Sequence, residues 1–513
     1  MGLILNSLPR YRGPYKVSTH DLEFPSSTTS TSSSSFSPAL LRTSHRPALE
    51  LDTILFTTFY PVSNDTNQRK PLMNWLERPL SVTSRGYSKF LGKPLWLVKS
   101  IVYLFGRGLK LSPSTNGIEQ PLSKLNEEKE KEKKFPVVVF SHGLSGNRTT
   151  YSQFCGELAS RGFIVIALEH RDGSGPVSIV KLEGGNEKIL DYIKENDIYY
   201  ENDKDKVPFM EFRRHQLEMR QTEILQTLEI LHRINKGDNP KELEQLNRRR
   251  HHRHDSREMF EWENWKGKLD LENNLVMAGH SFGGATTIQI LRSNEKFRFK
   301  SGLALDPWAE PLPPSIIELE TTLSSNNQEE EEGGGIVLST KTSNHQDQES
   351  QTEQEESSSA PAPSSKQETG SRERGRISVP FLVINSEAFT LWKPHFYQVR
   401  EIVESVNNNA QSRFFTILGS IHISFSDIPL FLPSYLSPKK ATTSALETHH
   451  LITEISVEFI EKNYIEGEYL GKSLEFEGDR EFVNREERGE GEKGPLKSQE
   501  GEGFVRLHLK RGL

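Results

Sequence analysis

The stretch LVMAGHSFGGATTIQIL, residues 275–291, decides the fold of this chain. An apolar run is followed by GHSFG at 279–283 and then by an apolar pattern typical of a helix. This order of strand, G-x-S-x-G turn and helix is a nucleophile elbow, in which a serine hydroxyl stands clear of the sheet. Gly279 and Gly283 suit the turn because it is strained and larger side chains would collide there. The stretch therefore predicts Ser281 as a nucleophile at the end of a buried strand.

Further short apolar runs bounded by turn residues recur along the chain, at 54–62, 136–141, 163–168, 302–305, 379–384 and 413–418. Most are continuous rather than alternating, which is typical of strands buried on both faces of a parallel sheet. Helical patterns lie between them, at 149–161 and 209–235. Alternating strands and helices predict an α/β fold with a mostly parallel, doubly wound sheet.

Polar segments interrupt this pattern. They are a Ser/Thr-rich insertion at 26–38, a charged insertion at 119–134, a basic insertion at 234–258, an acidic low-complexity insertion at 313–376 and a charged, flexible tail at 466–513. The acidic insertion has few large apolar residues, so we expect it to be disordered. The basic insertion contains the run RRRHHRHDSR, which we interpret as a solvated loop rather than a metal or nucleic-acid site. One catalytic domain is predicted within 8–465.

The charge distribution argues against several classes of protein. The acidic insertion holds 13 acidic and five basic residues, whereas the whole chain has a net charge of −7. The rest of the chain is therefore close to neutral, and it is slightly basic when the acidic tail is also left out. So small a net charge does not favour a nucleic-acid binder. The single cysteine, Cys155, forms no intrachain disulfide and no zinc-ligand pair. The N-terminus lacks a signal-peptide pattern, so we expect a cytoplasmic protein.

A nucleophilic serine needs a base and an orienting carboxylate, which should follow it in the order Ser, acid, His. His422 lies just after the predicted strand 413–418 and is the preferred base, with His395 in reserve. Asp306 and Glu387 both end predicted strands and are both candidates for the acid. Spacing alone leaves the choice of acid open, because each carboxylate emerges at the same sheet edge.

Two backbone amides are needed to stabilise the oxyanion. The amide of Phe282 directly follows the nucleophile. The second is expected after an early strand, where the sequence reads His142, Gly143, Leu144. We predict that Leu144 donates this amide and that His142 fixes the loop rather than serving as a base.

Four blocks carry a resemblance to a known family. They are FSHGLSGNRTTYSQFCGELASRGFIVIALEHRDGSG at 140–175, GHSFGGAT at 279–286, LALDPW at 303–308 and GSIHISFSD at 419–427. Together they resemble the platelet-activating factor acetylhydrolase family of plasma and type II intracellular enzymes. The likeness covers nearly all of 8–465 outside the insertions, and the composition is similar to that of a fungal member.

The resemblance implies an α/β-hydrolase fold and calcium-independent hydrolysis of short or oxidised sn-2 acyl esters of phospholipids. It places the nucleophile on Ser281, the acid on Asp306 and the base on His422, with Leu144 and Phe282 as oxyanion donors, and it implies no metal and no cofactor. The expected partner is phospholipid, with no nucleic acid. The runner-up functions are a short-chain carboxylesterase without phospholipid preference and a noncatalytic lipid-binding scaffold.

A lipid substrate brings the protein to a membrane surface. Residues 87–105 are apolar but contain three lysines and a proline, so they are too interrupted for a spanning helix. One interpretation is an interfacial helix in which Trp96 and Phe105 touch the membrane. The other is that this apolar face packs against the sheet. Both interpretations are compatible with the sequence.

Overall fold

The computed structural model of the 513-residue chain describes residues 7–27, 35–62, 73–112, 134–202, 204, 206–249, 260, 262–313, 375–407, 410–431, 441–462 and 505–511. The chain divides into two compact units, residues 1–312 with 377–513 and residues 313–376. The second unit coincides with the predicted acidic insertion, and only its two ends are among the described residues. The acidic insertion, which is predicted to be disordered, therefore lies almost entirely outside the described residues. So do most of the predicted charged insertion at 119–134 and most of the predicted flexible tail.

Thirteen strands are found in the described part of the chain. In chain order they are β1 (Lys16–Pro25), β2 (Leu40–Leu41), β3 (Thr53–Val62), β4 (Phe135–Ser141), β5 (Ile164–Glu169), β6 (Val177–Lys181), β7 (Glu187–Asp191), β8 (Ile198–Tyr199), β9 (Leu269–His280), β10 (Ser301–Leu305), β11 (Phe381–Ser386), β12 (Ser412–Ile417) and β13 (Val505–Arg511). Pairs β2–β8 and β6–β7 form two small ribbons.

The other nine strands form one sheet in the order β1-β3-β5-β4-β9-β10-β11-β12-β13. The six strands from β5 to β12 in this order are parallel to their neighbours. Antiparallel pairs close both edges, β1 and β3 on one side and β13 on the other. This mostly parallel sheet, with an antiparallel early strand and the nucleophile turn after a central strand, confirms the predicted α/β-hydrolase fold.

Helices cover both faces of the sheet. They are α1 (Leu80–Leu91), α2 (Leu95–Ile101), α3 (Ser152–Ala159), α4 (Phe209–Lys236), α5 (Pro240–Leu246), α6 (Phe282–Arg292), α7 (Asn294–Phe297), α8 (Glu387–Thr390), α9 (Lys393–Glu404), α10 (Ile428–Phe431) and α11 (Ala445–Lys462). A π-helical turn, Val102–Gly106, continues α2. Short 3-10 turns lie at Glu183–Gly185, Glu195–Asp197, Trp262–Trp265 and His422–Phe425.

The core has two layers because successive side chains of a buried strand point to opposite faces. In β4, Val137 and Val139 pack on the face covered by α4, α6 and α9. Val138 and Phe140 pack on the other face, under α2, α3 and α11. Both sets are buried, which explains why this strand is a continuous apolar run in the sequence.

The two edge strands are absent from the predicted set. The sequence of β1, KVSTHDLEFP, has polar residues throughout, and in that of β13, VRLHLKR, apolar and polar residues alternate. Neither sequence is a continuous apolar run, which is the pattern of strands buried on both faces of a parallel sheet. The end of the predicted flexible tail is therefore part of the sheet, paired with β12.

The predicted basic insertion, 234–258, is folded in its described portion, residues 234–249. Helix α4 runs into this region and α5 follows it. Arg249 donates hydrogen bonds to Glu23 over 2.8 Å and to Glu77 over 3.2 Å. The solvated-loop interpretation is therefore wrong for Arg249, since its charge balances two carboxylates that are largely withdrawn from water. The three histidines of the run, at 251, 252 and 254, lie outside the described residues.

Candidate active site

Ser281 occupies a strained turn between β9 and α6. Its φ is 58° and its ψ is −119°, a conformation that costs energy in a residue with a side chain. The glycines on either side permit the turn. A Cβ on Gly279 would lie 2.2 Å from the carbonyl oxygen of Gly283, and one on Gly283 would lie 2.0 Å from that of Ser141. The Ser281 amide donates to the Leu305 carbonyl over 3.0 Å, which ties the elbow to β10.

The structure brings the predicted base to the serine. His422 begins the 3-10 turn that follows β12, and its Nε2 lies 3.0 Å from Ser281 Oγ. Two other rings contact its ring. The Phe389 ring stacks on it at 4.2 Å, nearly parallel, and the His280 ring lies 4.5 Å away, tilted against it. About a third of the His422 side chain is exposed, so the ring is restrained but accessible from solvent.

Asp306 is the carboxylate that reaches this histidine. It follows β10 with a φ of 44°, is fully buried, and places Oδ2 2.8 Å from His422 Nδ1. The amide of Ser386 donates to Asp306 Oδ1 over 2.8 Å, and the Ser386 hydroxyl donates to Oδ2 over 2.6 Å. The other candidate, Glu387, accepts a hydrogen bond from the Gly419 amide instead. The geometry thus favours Asp306 where spacing left both open.

The oxyanion loop, residues 142–146, lies against the nucleophile. A Cβ on Gly143 would come within 2.8 Å of Ser281 Cβ, so only glycine permits this approach. Leu144 follows it and is half-buried, while Phe282 is the first residue of α6. The N-terminus of a helix favours negative charge, so this corner of the site suits a developing oxyanion. The roles of Leu144 and Phe282 as donors remain predictions.

The remaining histidines have other partners. His142 Nδ1 donates to the Gly143 carbonyl over 2.8 Å, and its Nε2 accepts from the His170 amide over 3.1 Å. Burial lowers the pKa of His142 to about 4, so it is neutral and fixes the loop. The reserve base, His395, is buried in α9 rather than in a loop, and its Nε2 accepts from the Ala309 amide over 3.1 Å.

A buried arginine that is not among the predicted site residues holds the oxyanion loop. Arg220 of α4 donates to the His142 carbonyl over 2.9 Å and to Asp172 over 2.7 Å. Its guanidinium also lies 4.3 Å from the centre of the Phe282 ring. A signal was available, since Arg220 occupies the apolar stripe of α4 three residues after Leu217. A charge on the buried face of a helix indicates a buried partner.

One group of potential metal ligands occurs among the described residues. Ligand atoms of His280, Asp306 and His422 lie within 4.8 Å of one another. Asp306 and His422 already bond each other, and His422 bonds Ser281. The arrangement is suited to moving a proton between the serine and the histidine.

An apolar patch projects from α2 and the π-helical turn. Val98 and Val102 pack inward, as the packing interpretation expects, but Trp96 and Phe105 are 70% and 48% exposed. The exposed apolar members of this patch are Leu91, Leu95, Trp96, Leu97, Ile101, Tyr103, Leu104 and Phe105. Large exposed apolar patches are typical of interaction surfaces. No helix in the described part of the chain is both long enough and apolar enough to span a bilayer.

The fold and the Ser281, His422 and Asp306 geometry are those of the α/β-hydrolase class. A family model described as platelet-activating factor acetylhydrolase, isoform II, matches residues 5–321 and 369–481. The chain belongs to this family.

Three relatives illustrate the similarity. Platelet-activating factor acetylhydrolase of Cavia porcellus is 34% identical over 233 residues, which cover 44% of this chain and 45% of the relative. The Gallus gallus protein of the same name is 35% identical over 183 residues, 35% of this chain and 40% of the relative. A Schizosaccharomyces pombe protein whose name includes phospholipase A2 is 33% identical over 193 residues, 35% of this chain and 42% of the relative. The chain thus spans less than half the length of these relatives.

Proposed function

We propose that the chain is a serine esterase that cleaves the short or oxidised sn-2 acyl ester of phospholipids. The observation that carries this proposal is the continuous hydrogen-bonded path from Ser281 Oγ through His422 to Asp306. Membership of the family, whose named relatives are platelet-activating factor acetylhydrolases, supports the substrate class.

The first step acylates the serine. His422 Nε2 takes the Ser281 proton as Oγ attacks the ester carbonyl, and a tetrahedral oxyanion forms. The Leu144 and Phe282 amides donate to that oxyanion. His422 then gives its proton to the glycerol oxygen, the carbon–oxygen bond breaks, and lysophospholipid leaves. Asp306 stabilises the positive charge that His422 carries during this step.

The second step releases the acid. A water molecule loses a proton to His422 Nε2 and attacks the acyl group on Ser281. Collapse of the second tetrahedral species returns the proton to Ser281 Oγ and frees acetate or another short acid. Every proton transfer is assigned to groups of this chain, so we expect turnover to persist when calcium is chelated.

A substrate panel on wild type and Ser281→Ala tests the proposal. We expect faster turnover of 2-acetyl than of long-chain sn-2 phospholipids, and a loss of about 10⁶-fold in Ser281→Ala. Equal or better turnover of p-nitrophenyl acetate with no phospholipid preference would identify a general carboxylesterase. Failure of a fluorophosphonate to label Ser281 in the folded protein would instead favour a noncatalytic lipid-binding scaffold.

The apolar patch on α2 supports contact with a membrane surface. Its exposed aromatics lie beside Lys93 and Lys99, so apolar insertion and attraction to anionic lipid would act together. Together with the cytoplasmic location expected from the sequence, this describes a peripheral enzyme. We expect Trp96→Ala and Phe105→Ala to weaken sedimentation with anionic vesicles while hydrolysis of a soluble ester is retained.

A matched control exists for this experiment. Tyr397 of α9 is 49% exposed, almost the same as Phe105, but lies outside the patch. Tyr397→Ala should leave vesicle binding unchanged. Membrane contact through the patch would be contradicted if Tyr397→Ala weakened vesicle binding as much as Phe105→Ala does. It would also be contradicted if Phe105→Ala lost vesicle binding and soluble-ester hydrolysis to the same extent.

A further inference from the structure

The hydroxyl of Tyr151 lies between the oxyanion loop and His280, whose ring is next to that of the candidate base His422. Tyr151 is buried at the start of α3. Its oxygen is 3.2 Å from the Gly143 amide and 2.8 Å from His280 Nδ1. Gly143 immediately precedes Leu144 in the oxyanion loop, and His280 immediately precedes Ser281. One hydroxyl therefore joins both halves of the site.

The direction of these hydrogen bonds follows from their chemistry. An amide N–H can only donate, so the Tyr151 oxygen accepts from Gly143. We assign the single hydroxyl hydrogen to the contact with His280 Nδ1, which makes that nitrogen the unprotonated one of the ring. Burial, followed by the proximity of His422, holds the pKa of His280 well below its usual range. His280 is thus a neutral imidazole of fixed tautomer.

A neutral ring at this place matters for the chemistry. The His280 and His422 rings are 4.5 Å apart, and His422 becomes positively charged when it takes the serine proton. A second positive charge at that distance would oppose the proton transfer, whereas a fixed neutral ring supports the position of His422.

We propose that Tyr151 is a positioning residue for ester hydrolysis, whose hydroxyl fixes the oxyanion loop through Gly143 and the base through His280. This inference rests on the proposed function. It concerns the rate of the chemical step rather than the binding of substrate, because the buried Tyr151 hydroxyl is hydrogen-bonded to Gly143 and His280.

The chain contains a matched control for removal of this hydroxyl. Tyr60 of β3 is also buried, and its hydroxyl lies 3.0 Å from His20 Nδ1 at the edge of the sheet. Tyr60→Phe therefore removes a hydrogen bond of the same chemical type, between a buried tyrosine and a half-buried histidine, away from Ser281. A loss of activity from general destabilisation would appear in both variants.

The experiment compares wild type, Tyr151→Phe and Tyr60→Phe on p-nitrophenyl acetate in the full chain, with melting temperatures measured in parallel. We expect kcat to fall about tenfold in Tyr151→Phe, the equivalent of losing two hydrogen bonds, with KM within twofold of wild type. The rate of Ser281 labelling by a fluorophosphonate should fall in parallel. Tyr60→Phe should keep the wild-type kcat even if its melting temperature falls.

Three outcomes would overturn the inference: a kcat in Tyr151→Phe within twofold of wild type, a rise in KM alone, or an equal loss of kcat in Tyr60→Phe. If Tyr151→Phe does not fold, the comparison of His280→Asn with His280→Ala replaces it. Asparagine keeps an acceptor near the place of Nδ1, so it should retain more activity, and equal activities would refute the inference. A wild-type chain that turns over no ester would refute the proposed function itself and this inference with it.

Discussion

Replacement of Asp306 by asparagine tests the assignment of the acid most directly. The Asp306 carboxylate is fully buried and contacts His422 Nδ1 at 2.8 Å. Two unit charges about 4 Å apart attract by about 4 kcal/mol at an effective dielectric constant of about 20. At about 1.4 kcal/mol per factor of ten, the loss of this attraction to the histidine cation lowers kcat by about 10³-fold.

The tautomer of His422 adds to this loss. An amide at position 306 would present its NH₂ group to Nδ1 in some of the molecules, so Nε2 would carry the hydrogen and could not accept the serine proton. With both effects we expect Asp306→Asn to lower kcat by about 10⁴-fold, the scale of such a change in a serine triad. KM and the melting temperature should change little, since the two side chains have almost the same shape.

The comparison with Glu387→Gln makes the test specific. Glu387 accepts a hydrogen bond from the backbone amide of Gly419, three residues before His422. The side-chain amide that Glu387→Gln introduces should therefore perturb this loop and lower kcat by about tenfold at most. Both variants would be measured on p-nitrophenyl acetate and on a 2-acetyl phospholipid. If Glu387→Gln lost 10⁴-fold and Asp306→Asn kept a tenth or more of the wild-type kcat, the assignment of the acid to Asp306 would be refuted.

Two further predictions concern stability. Arg249→Ala should lower the free energy of unfolding by about 2–3 kcal/mol, because it removes one charged partner of Glu23 and of Glu77, which keep Arg171 and Arg148, whereas Arg248→Ala should cost under about 1 kcal/mol; equal urea midpoints would contradict this. Burial lowers the pKa of His449 to about 4, so its contribution to stability is present above about pH 6.5 and is lost as the pH falls to 4. Between pH 7 and pH 4 the free energy of unfolding of His449→Gln should therefore fall by about 3 kcal/mol less than that of wild type. Urea unfolding with the same pH dependence in both proteins would exclude the effect.

Local sequence was sufficient for the features that depend on neighbouring residues. The elbow at 279–283 is one, since its conformation requires glycine on both sides of Ser281 and a strand and helix around it. The central strands are another, because burial on both faces requires continuous apolar runs. Helices were located to within a few residues, as for the predicted 209–235 and the observed Phe209–Lys236.

The sequence was less informative wherever a side chain is stabilised by a distant partner. Arg249 looks like part of a solvated charged run, yet it neutralises carboxylates more than 170 residues earlier in the chain. Trp96 and Val98 are both apolar residues of one helix, but one faces outward and the other inward. Neither distinction follows from composition or periodicity, since each depends on what the rest of the chain places opposite.

The sequence by itself determined the α/β-hydrolase fold, the position of Ser281 in its strained turn and the arrival of His422 after a late strand. Spacing left two candidates for the acid and the family resemblance implied Asp306, and the tertiary structure shows why that carboxylate and not Glu387 meets the histidine. Asp306 and Glu387 end adjacent parallel strands, so both emerge at one edge of the sheet. Asp306 turns toward His422 with a φ of 44° and is fixed by Ser386, whereas Glu387 turns to the Gly419 amide. A difference in backbone direction at two strand ends is a property of the packed molecule, because each end is fixed by hydrogen bonds from segments far away in the chain.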